Sequence, residues 1–328
     1  LNSIIEIKDL QIAFRTDSRD VTVIDNVNFR VDKGETLGIV GESGCGKSVT
    51  SMSIMGLLPP IAKVTKGSIK LKDRELVGMS KKQLRSVRGK EIAMIFQEPM
   101  TSLNPVYNIG KQIIELILNH RKVSKKEAKA HALEMLKLVG IPRPEEVINE
   151  YPHQLSGGMR QRVMIALAMS CNPEVLIADE PTTALDVTIQ AQILELMKDL
   201  QKKLGMSIIL ITHDLGVVAE MCDRVVVMYA GQVVEECTIE QLFTKPHHPY
   251  TEGLLASVPN MEEEQETLTS IPGTVPSPGE MPKGCRFAER CPYVLDRCFE
   301  KVPELFVLGP NTKSRCWLNE PSESGGVQ

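Results

Sequence analysis

Nowhere among its 328 residues does the chain carry a run of 18 apolar side chains, the length a helix needs to cross a bilayer. The apolar stretches at residues 163–169 and 208–211 fall far short of it. The opening sequence LNSIIEIKDL lacks a basic segment followed by an apolar one, so no secretory signal is expected. An excess of positive charge is also missing: the formal net charge is −4, and a global electrostatic reason to bind nucleic acid is absent with it. No internal repeat is visible. What is present is ordinary for a globular chain, with 42% hydrophobic and 24% charged residues. These values exclude a disordered, collagen-like or disulfide-dominated protein. The length suits one large domain or two smaller ones.

Eight cysteines are unevenly placed. Cys45, Cys171, Cys222 and Cys237 are scattered, whereas Cys285, Cys291, Cys298 and Cys316 crowd together. A cytosolic setting keeps thiols reduced, and four clustered thiols there bind metal more often than they pair. Composition shifts near residue 246, since 11 of the 20 prolines lie from Pro246 onward. The acidic run at 262–266 and the loop at 272–282 read as a linker.

Strand character opens at residues 5–8 and continues over 21–31 and 36–40. A glycine-rich turn leads into a helical pattern through Met52, Met55 and Leu58, which Pro59-Pro60 stops. Helices are expected over 109–118, 125–139, 159–169 and 188–204, strands over 175–178 and 208–211, and a final hairpin around Ala230-Gly231.

Residues 41–48, G-E-S-G-C-G-K-S, fit the phosphate-loop pattern G-x-x-x-x-G-K-[ST] between a strand and a helix. The glycines Gly41, Gly44 and Gly46 let backbone N–H groups around Ser43, Cys45 and Val49 wrap phosphate oxygens. Lys47 would reach the terminal phosphates and Ser48 would ligate Mg²⁺. A second acidic site follows the apolar run 175–178: Asp179 could hold Mg²⁺ through water, and Glu180 could act as general base. Residues 155–161, L-S-G-G-M-R-Q, place Ser156, Gly157 and Gly158 at another helix N-terminus suited to an anion. Two such cradles in one chain point to a head-to-tail pair, each chain's Ser156 loop closing on its partner's nucleotide.

With these motifs in this order the sequence resembles the ATP-binding-cassette ATPases. The resemblance implies a P-loop α/β core with an antiparallel β subdomain, over residues 1–97 and 171–245. It adds an inserted helical subdomain at 98–170 and a C-terminal extension at 246–328. It assigns Gln97 to Mg²⁺ and the attacking water, Ala184-Leu185-Asp186 to the D-loop, and His213 to the γ-phosphate. Phe14 would stack on adenine. The signature carries Met159 where many members have glutamine, which leaves Ser156 and both glycines in place.

Residues 97–105, Q-E-P-M-T-S-L-N-P, resemble the segment after the Q-loop in peptide and nickel importer ATPases. So do P-H-H-P-Y-T at 246–251 and the G-C-R-F and R-C-P pieces at 284–287 and 290–292. Residues 48–59 resemble the first of the two ATPases that a dipeptide importer pairs. This branch implies a peripheral position on the cytoplasmic face of the membrane, a second homologous ATPase, two permeases and, indirectly, an extracytoplasmic peptide-binding protein. ATP and Mg²⁺ are the implied ligands. The helical insertion and the Gln97 loop would offer a groove to a permease. Nickel is the alternative cargo. A soluble ATPase of this class acting on DNA is the rival reading, opposed by the absent basic character and by only 57 residues between Gln97 and Leu155. The basic run Lys81, Lys82, Arg85, Arg88 and Lys90 reads as a solvated helix face.

Gaps of 5, 6 and 17 residues separate the four C-terminal cysteines. They differ from the C-x₂-C knuckle of structural zinc sites. The wider spacing favours a [4Fe–4S] cluster, with Cys291-Pro292 echoing the Cys-Pro that borders such clusters. Zinc, disulfides and free thiols stay open.

Overall fold

The computed structural model describes residues 3–17, 19–97, 102–183, 185–257 and 270–321. Ala184 of the D-loop, residues 98–101 after Gln97, and the acidic run 262–266 lie outside the described residues. The strands in chain order are β1 (Ser3–Arg15), β2 (Asp20–Asp32), β3 (Thr36–Val40), β4 (Ala62–Leu71), β5 (Arg74–Glu75), β6 (Ile92–Ile95), β7 (Val175–Asp179), β8 (Ser207–Ile211), β9 (Arg224–Tyr229), β10 (Gln232–Thr238), β11 (Phe306–Gly309) and β12 (Thr312–Ser314). The chain divides into two compact units. The first comprises residues 1–4, 31–36 and 78–211, and the second comprises 5–30, 37–77 and 212–328.

In the first unit β8, β7 and β6 lie side by side and parallel, with Ala178 opposite both Ile95 and Leu210. Every residue of β7 and β8 is buried, which is why both read as continuous apolar runs rather than alternating ones. The helices follow from spacing and caps. Ile109–His120 buries Ile109, Ile113 and Ile117, a stripe at four-residue steps. Lys125–Leu138 starts at Ser124, whose side chain accepts from the Glu127 N–H while the Glu127 carboxylate accepts from the Ser124 N–H. Gly157–Met169 is buried mainly from Val163 onward, where its sequence is apolar all round.

In the second unit β2, β1, β4 and β5 form an antiparallel sheet in that order. The pairing of β1 with β4 shifts register between Lys8 and Gln11, where Asp9 takes a φ of 48°. That bulge lets Ile5 and Ile7 before it, and Leu10 and Ile12 after it, all reach the core. The second unit's other sheet runs β11, β12, β10, β9, β3. β3 and β9 are parallel, and β9 turns into β10 as the expected hairpin.

Three sequence expectations shift. The helix after the phosphate loop is Lys47–Ile54 and ends well before Pro59, because Gly56 turns left-handed (φ 60°). β4 has no counterpart in the sequence reading: its residues AKVTKGSIKL are largely polar and exposed at the start. The pair β11 and β12 also lies hidden in a proline-rich stretch.

Candidate functional site

The candidate residues that the sequence analysis singles out fall in one unit or the other. In the second unit β3 is buried throughout and delivers the chain into the loop. Gly41 follows at φ 146°, where a Cβ would lie 2.2 Å from the Met228 carbonyl oxygen and 2.8 Å from Cys45 Sγ. Gly46, at φ 104°, caps the helix Lys47–Ile54 without any side-chain hydrogen bond to its first N–H groups. A side chain there would collide with Ile24 Cδ1 at 2.4 Å. Around Gly44 there is open space on the Cβ side, and Ser43 and Gly44 are exposed. A loop pinned at both ends by close backbone approach, and open in its middle, suits an anion.

Lys47 is 7% exposed. Its Nζ donates to the carbonyls of Gly41 (2.6 Å) and Glu42 (3.0 Å), folding back across the loop. Cys45 contributes backbone: its N–H donates to Glu42 O at 3.3 Å and its carbonyl accepts from Gly231 N–H at 2.9 Å. Burial raises the Cys45 thiol pKa, which favours the neutral thiol. Ser48 and Val49 are half-buried in the helix's first turn. Phe14, near the end of β1 and opposite Ala62, is half-buried and belongs to the same unit. His213 is exposed, one residue before Asp214, which caps the helix Leu215–Met221.

In the first unit β7 carries Asp179 at its end, 6% exposed. Glu180 follows with φ 48°, a conformation that costs a residue with a Cβ energy and recurs at functional sites. Its N–H donates to Ile211 O at 2.9 Å, which continues the β7–β8 pairing past the strand end. Glu180 Oε2 accepts from Gln97 Nε2 at 2.8 Å and from Thr183 Oγ1 at 2.9 Å. Two residues 83 positions apart in sequence are thereby brought together.

The signature residues belong to this unit as well. Ser156 caps the helix Gly157–Met169, its Oγ accepting from Met159 N–H at 3.3 Å. Ser156 and Gly157 are exposed, and Gly158 is half-buried against Ile189. Asp186 caps Val187–Leu204 through Ile189 N–H at 2.9 Å. Sequence reasoning overlooked Gln161, which is 1% exposed and donates to the Pro181 carbonyl. That bond ties the signature helix to the segment just after Glu180. Thr183 was overlooked too; the signal available was its three-residue spacing from Glu180.

The four C-terminal cysteines converge. Cys285, Cys291, Cys298 and Cys316 line one small cavity together with His248, Phe287 and Trp317. All four are free thiols. Gly284 is pressed against the backbone of Cys298, and the Cys285 N–H donates to Cys298 O at 2.7 Å. Burial lifts the Cys285 thiol to about 12 and the Cys316 thiol to about 11, with the neighbouring cysteines adding to the rise. Burial also keeps His248 neutral, with its pKa lowered to about 3. Among the described residues, no group of three or more His, Cys, Asp or Glu is set to hold a metal ion.

No helix among the described residues is long and apolar enough to cross a membrane. The first unit carries an open groove of about 710 Å³ lined by Tyr107, Lys111, Ile114, Leu118, Lys129 and Ile148 among others.

Comparison with known proteins gives two family matches: ABC transporter over residues 24–183, and the C-terminal region of oligopeptide/dipeptide transporters over residues 234–298. The oligopeptide transport ATP-binding protein AppD of Bacillus subtilis is 54% identical over 329 residues, all of both chains. The oligopeptide transport ATP-binding protein OppD of the same species is 57% identical over 320 residues, covering 97% of this chain and 89% of that one. Among solved structures, an ATP-binding cassette captured as a dimer in a post-hydrolysis state with ADP and phosphate superposes with a TM-score of 0.65 at 28% identity. That match spans 72% of this chain and 98% of the other. With such identity along its whole length, the chain belongs to the ATP-binding subunits of the oligopeptide and dipeptide ABC transporters.

Proposed function

We propose that this chain hydrolyses ATP to drive uptake of peptides through separate permease subunits, working from the cytoplasmic face of the membrane. The observation that carries the reading is the joining of the two family matches in one chain, an ABC transporter segment followed by the oligopeptide/dipeptide C-terminal region. The chemistry follows from the residues. The loop 41–48 with Lys47 holds the phosphates, Ser48 and Asp179 hold Mg²⁺ with Gln97, and Phe14 stacks on the base. Glu180 takes a proton from the attacking water. Gln97 orients Glu180 by the hydrogen bond they share. His213 contacts the γ-phosphate. Mg²⁺, when bound, supplies charge to the phosphate oxygens.

Ser156 with Gly157 and Gly158 closes on the nucleotide of a second, homologous ATPase, with the loop around Asp186 at the same interface. The groove along Ile109–His120 receives a helix of a permease, its mixture of apolar and basic lining suiting an amphipathic segment. A peptide-binding protein outside the membrane supplies cargo to the permeases. The isolated chain is therefore expected to bind ATP and hydrolyse it slowly. Co-purified with its permeases and second ATPase in vesicles, it should turn over ATP faster when peptide is supplied, and the vesicles should accumulate peptide. Nickel accumulation without peptide accumulation would replace the cargo assignment, and full turnover by a strictly monomeric chain would end the shared-site assignment.

The four C-terminal cysteines are proposed to hold a structural [4Fe–4S] cluster, with zinc as the alternative. Four thiols line one cavity, which supports a common site, and they would have to draw closer to ligate a metal, since no group of three among the described residues stands at ligating spacing. Burial raises the thiol pKa values of Cys285, Cys291 and Cys316, and a bound cation would reverse that by stabilising the thiolates. Anaerobic purification followed by iron, sulfide and zinc analysis is expected to give about four irons per chain, the full cubane. A colourless protein with one zinc and no sulfide would assign zinc instead.

A further inference from the structure

Glu42 is an awkward residue for its position. It follows the first glycine of a loop built to receive anionic phosphates, where a free carboxylate opposes binding. The structure gives this carboxylate a dedicated partner from the C-terminal segment of the same unit. Arg290 Nη1 and Nη2 reach the two Glu42 oxygens at 2.7 and 3.0 Å, a bidentate pair. The Arg290 side chain is only 5% exposed. Its remaining donors are fixed as well: Nε on Pro272 O at 2.8 Å, Nη2 on Ile271 O at 3.2 Å and Nη1 on Tyr229 Oη at 3.3 Å. The guanidinium is thus held by the fold, and it holds Glu42.

The backbone of Glu42 is fixed from the same side. Its N–H donates to Tyr250 Oη at 2.8 Å. Tyr250, Tyr229 and Phe287 pack as an aromatic trio with centroids 4.7 to 5.4 Å apart. The Glu42 carbonyl then accepts from both Cys45 N–H and Lys47 Nζ. A displacement of Glu42 is therefore passed directly to the lysine and to the middle of the loop.

We propose that Arg290 is a positioning residue for the phosphate loop: it neutralises and turns aside the Glu42 carboxylate, so that the C-terminal extension sets the affinity of the site for nucleotide. The proposal rests on the reading of residues 41–48 as the ATP site. Arg290 also directly precedes Cys291 and ends the 3₁₀ turn Ala288–Arg290.

The experiment is ATP titration by calorimetry on the full chain. Arg290→Ala is expected to weaken ATP binding by roughly tenfold, the scale of one charge-assisted bond lost beside an anionic ligand. Adding Glu42→Gln to Arg290→Ala should recover most of that loss, because the opposing charge goes with it. Arg297→Ala serves as the control. It breaks contacts to Glu320 and the Trp317 carbonyl within the same extension but does not touch the loop, and it should bind ATP as wild type does. The proposal is overturned if Arg290→Ala binds within twofold of wild type, if Arg297→Ala weakens binding equally, or if the double variant is no better than Arg290→Ala. A wild-type chain that binds no ATP removes the nucleotide-site reading and this inference together, whereas the preceding outcomes remove the inference alone.

Discussion

Glu180→Gln is expected to leave ATP binding intact and to reduce steady-state turnover by about 10²–10⁴-fold, the usual loss on removing a general base. The substitution is nearly isosteric, and the geometry shows why the fold should tolerate it. Glu180 Oε2 accepts from Gln97 and Thr183, and an amide oxygen in the same place can accept both bonds. The backbone conformation at φ 48° is set by the Glu180 N–H on Ile211 O and by the following turn, in which Thr183 N–H donates to the Glu180 carbonyl. These features do not depend on charge. What the amide lacks is the ability to take a proton. ATP hydrolysis by the assembled transporter, with nucleotide binding measured in parallel, is the check. Turnover within threefold of wild type would show that another group activates the water.

Gly41→Ala should act at an earlier step and harm both binding and stability. An added Cβ would stand 2.2 Å from the Met228 carbonyl oxygen. That carbonyl cannot retreat cheaply. β9 is held in parallel register with β3, Val40 against Val227, and is paired to β10 on its other side. The φ of 146° adds strain of its own. Together, overpacking and strain amount to about 2–4 kcal/mol. The strand end or the loop must move to relieve them, and either movement shifts Lys47, whose Nζ bonds the Gly41 carbonyl. Loss of ATP affinity by more than about tenfold, with a lowered melting temperature, is the expected pair of results. A Gly41→Ala variant that melts and binds like wild type would mean that the loop adopts a different path.

Much of the candidate site could be read directly from residue order. The phosphate loop, the acidic strand end, the signature and the histidine after β8 are local patterns, each carried by a few consecutive residues between elements of clear period. β7 and β8 were equally plain, because strands buried on both faces need unbroken apolar runs. Less visible were elements whose side chains do not alternate cleanly. β4 is one, with its polar exposed half, and the short pair β11 and β12 is another. The cysteine spacing suggested a common site, and the fold brings all four thiols to one cavity.

The sequence by itself determined which chemical groups are present and the order in which they come: a glycine-rich loop ending in Lys47 and Ser48, two carboxylates after an apolar run, a serine-glycine helix start and four thiols. Only the tertiary structure decided which of them touch. Gln97 meets Glu180 across 83 positions, Gln161 meets the Pro181 carbonyl, and Arg290 grips Glu42 across 248. Contacts of that span depend on how strands and loops are laid side by side. That arrangement is fixed by burial of the whole core and leaves no periodic trace in the residues that make the contact.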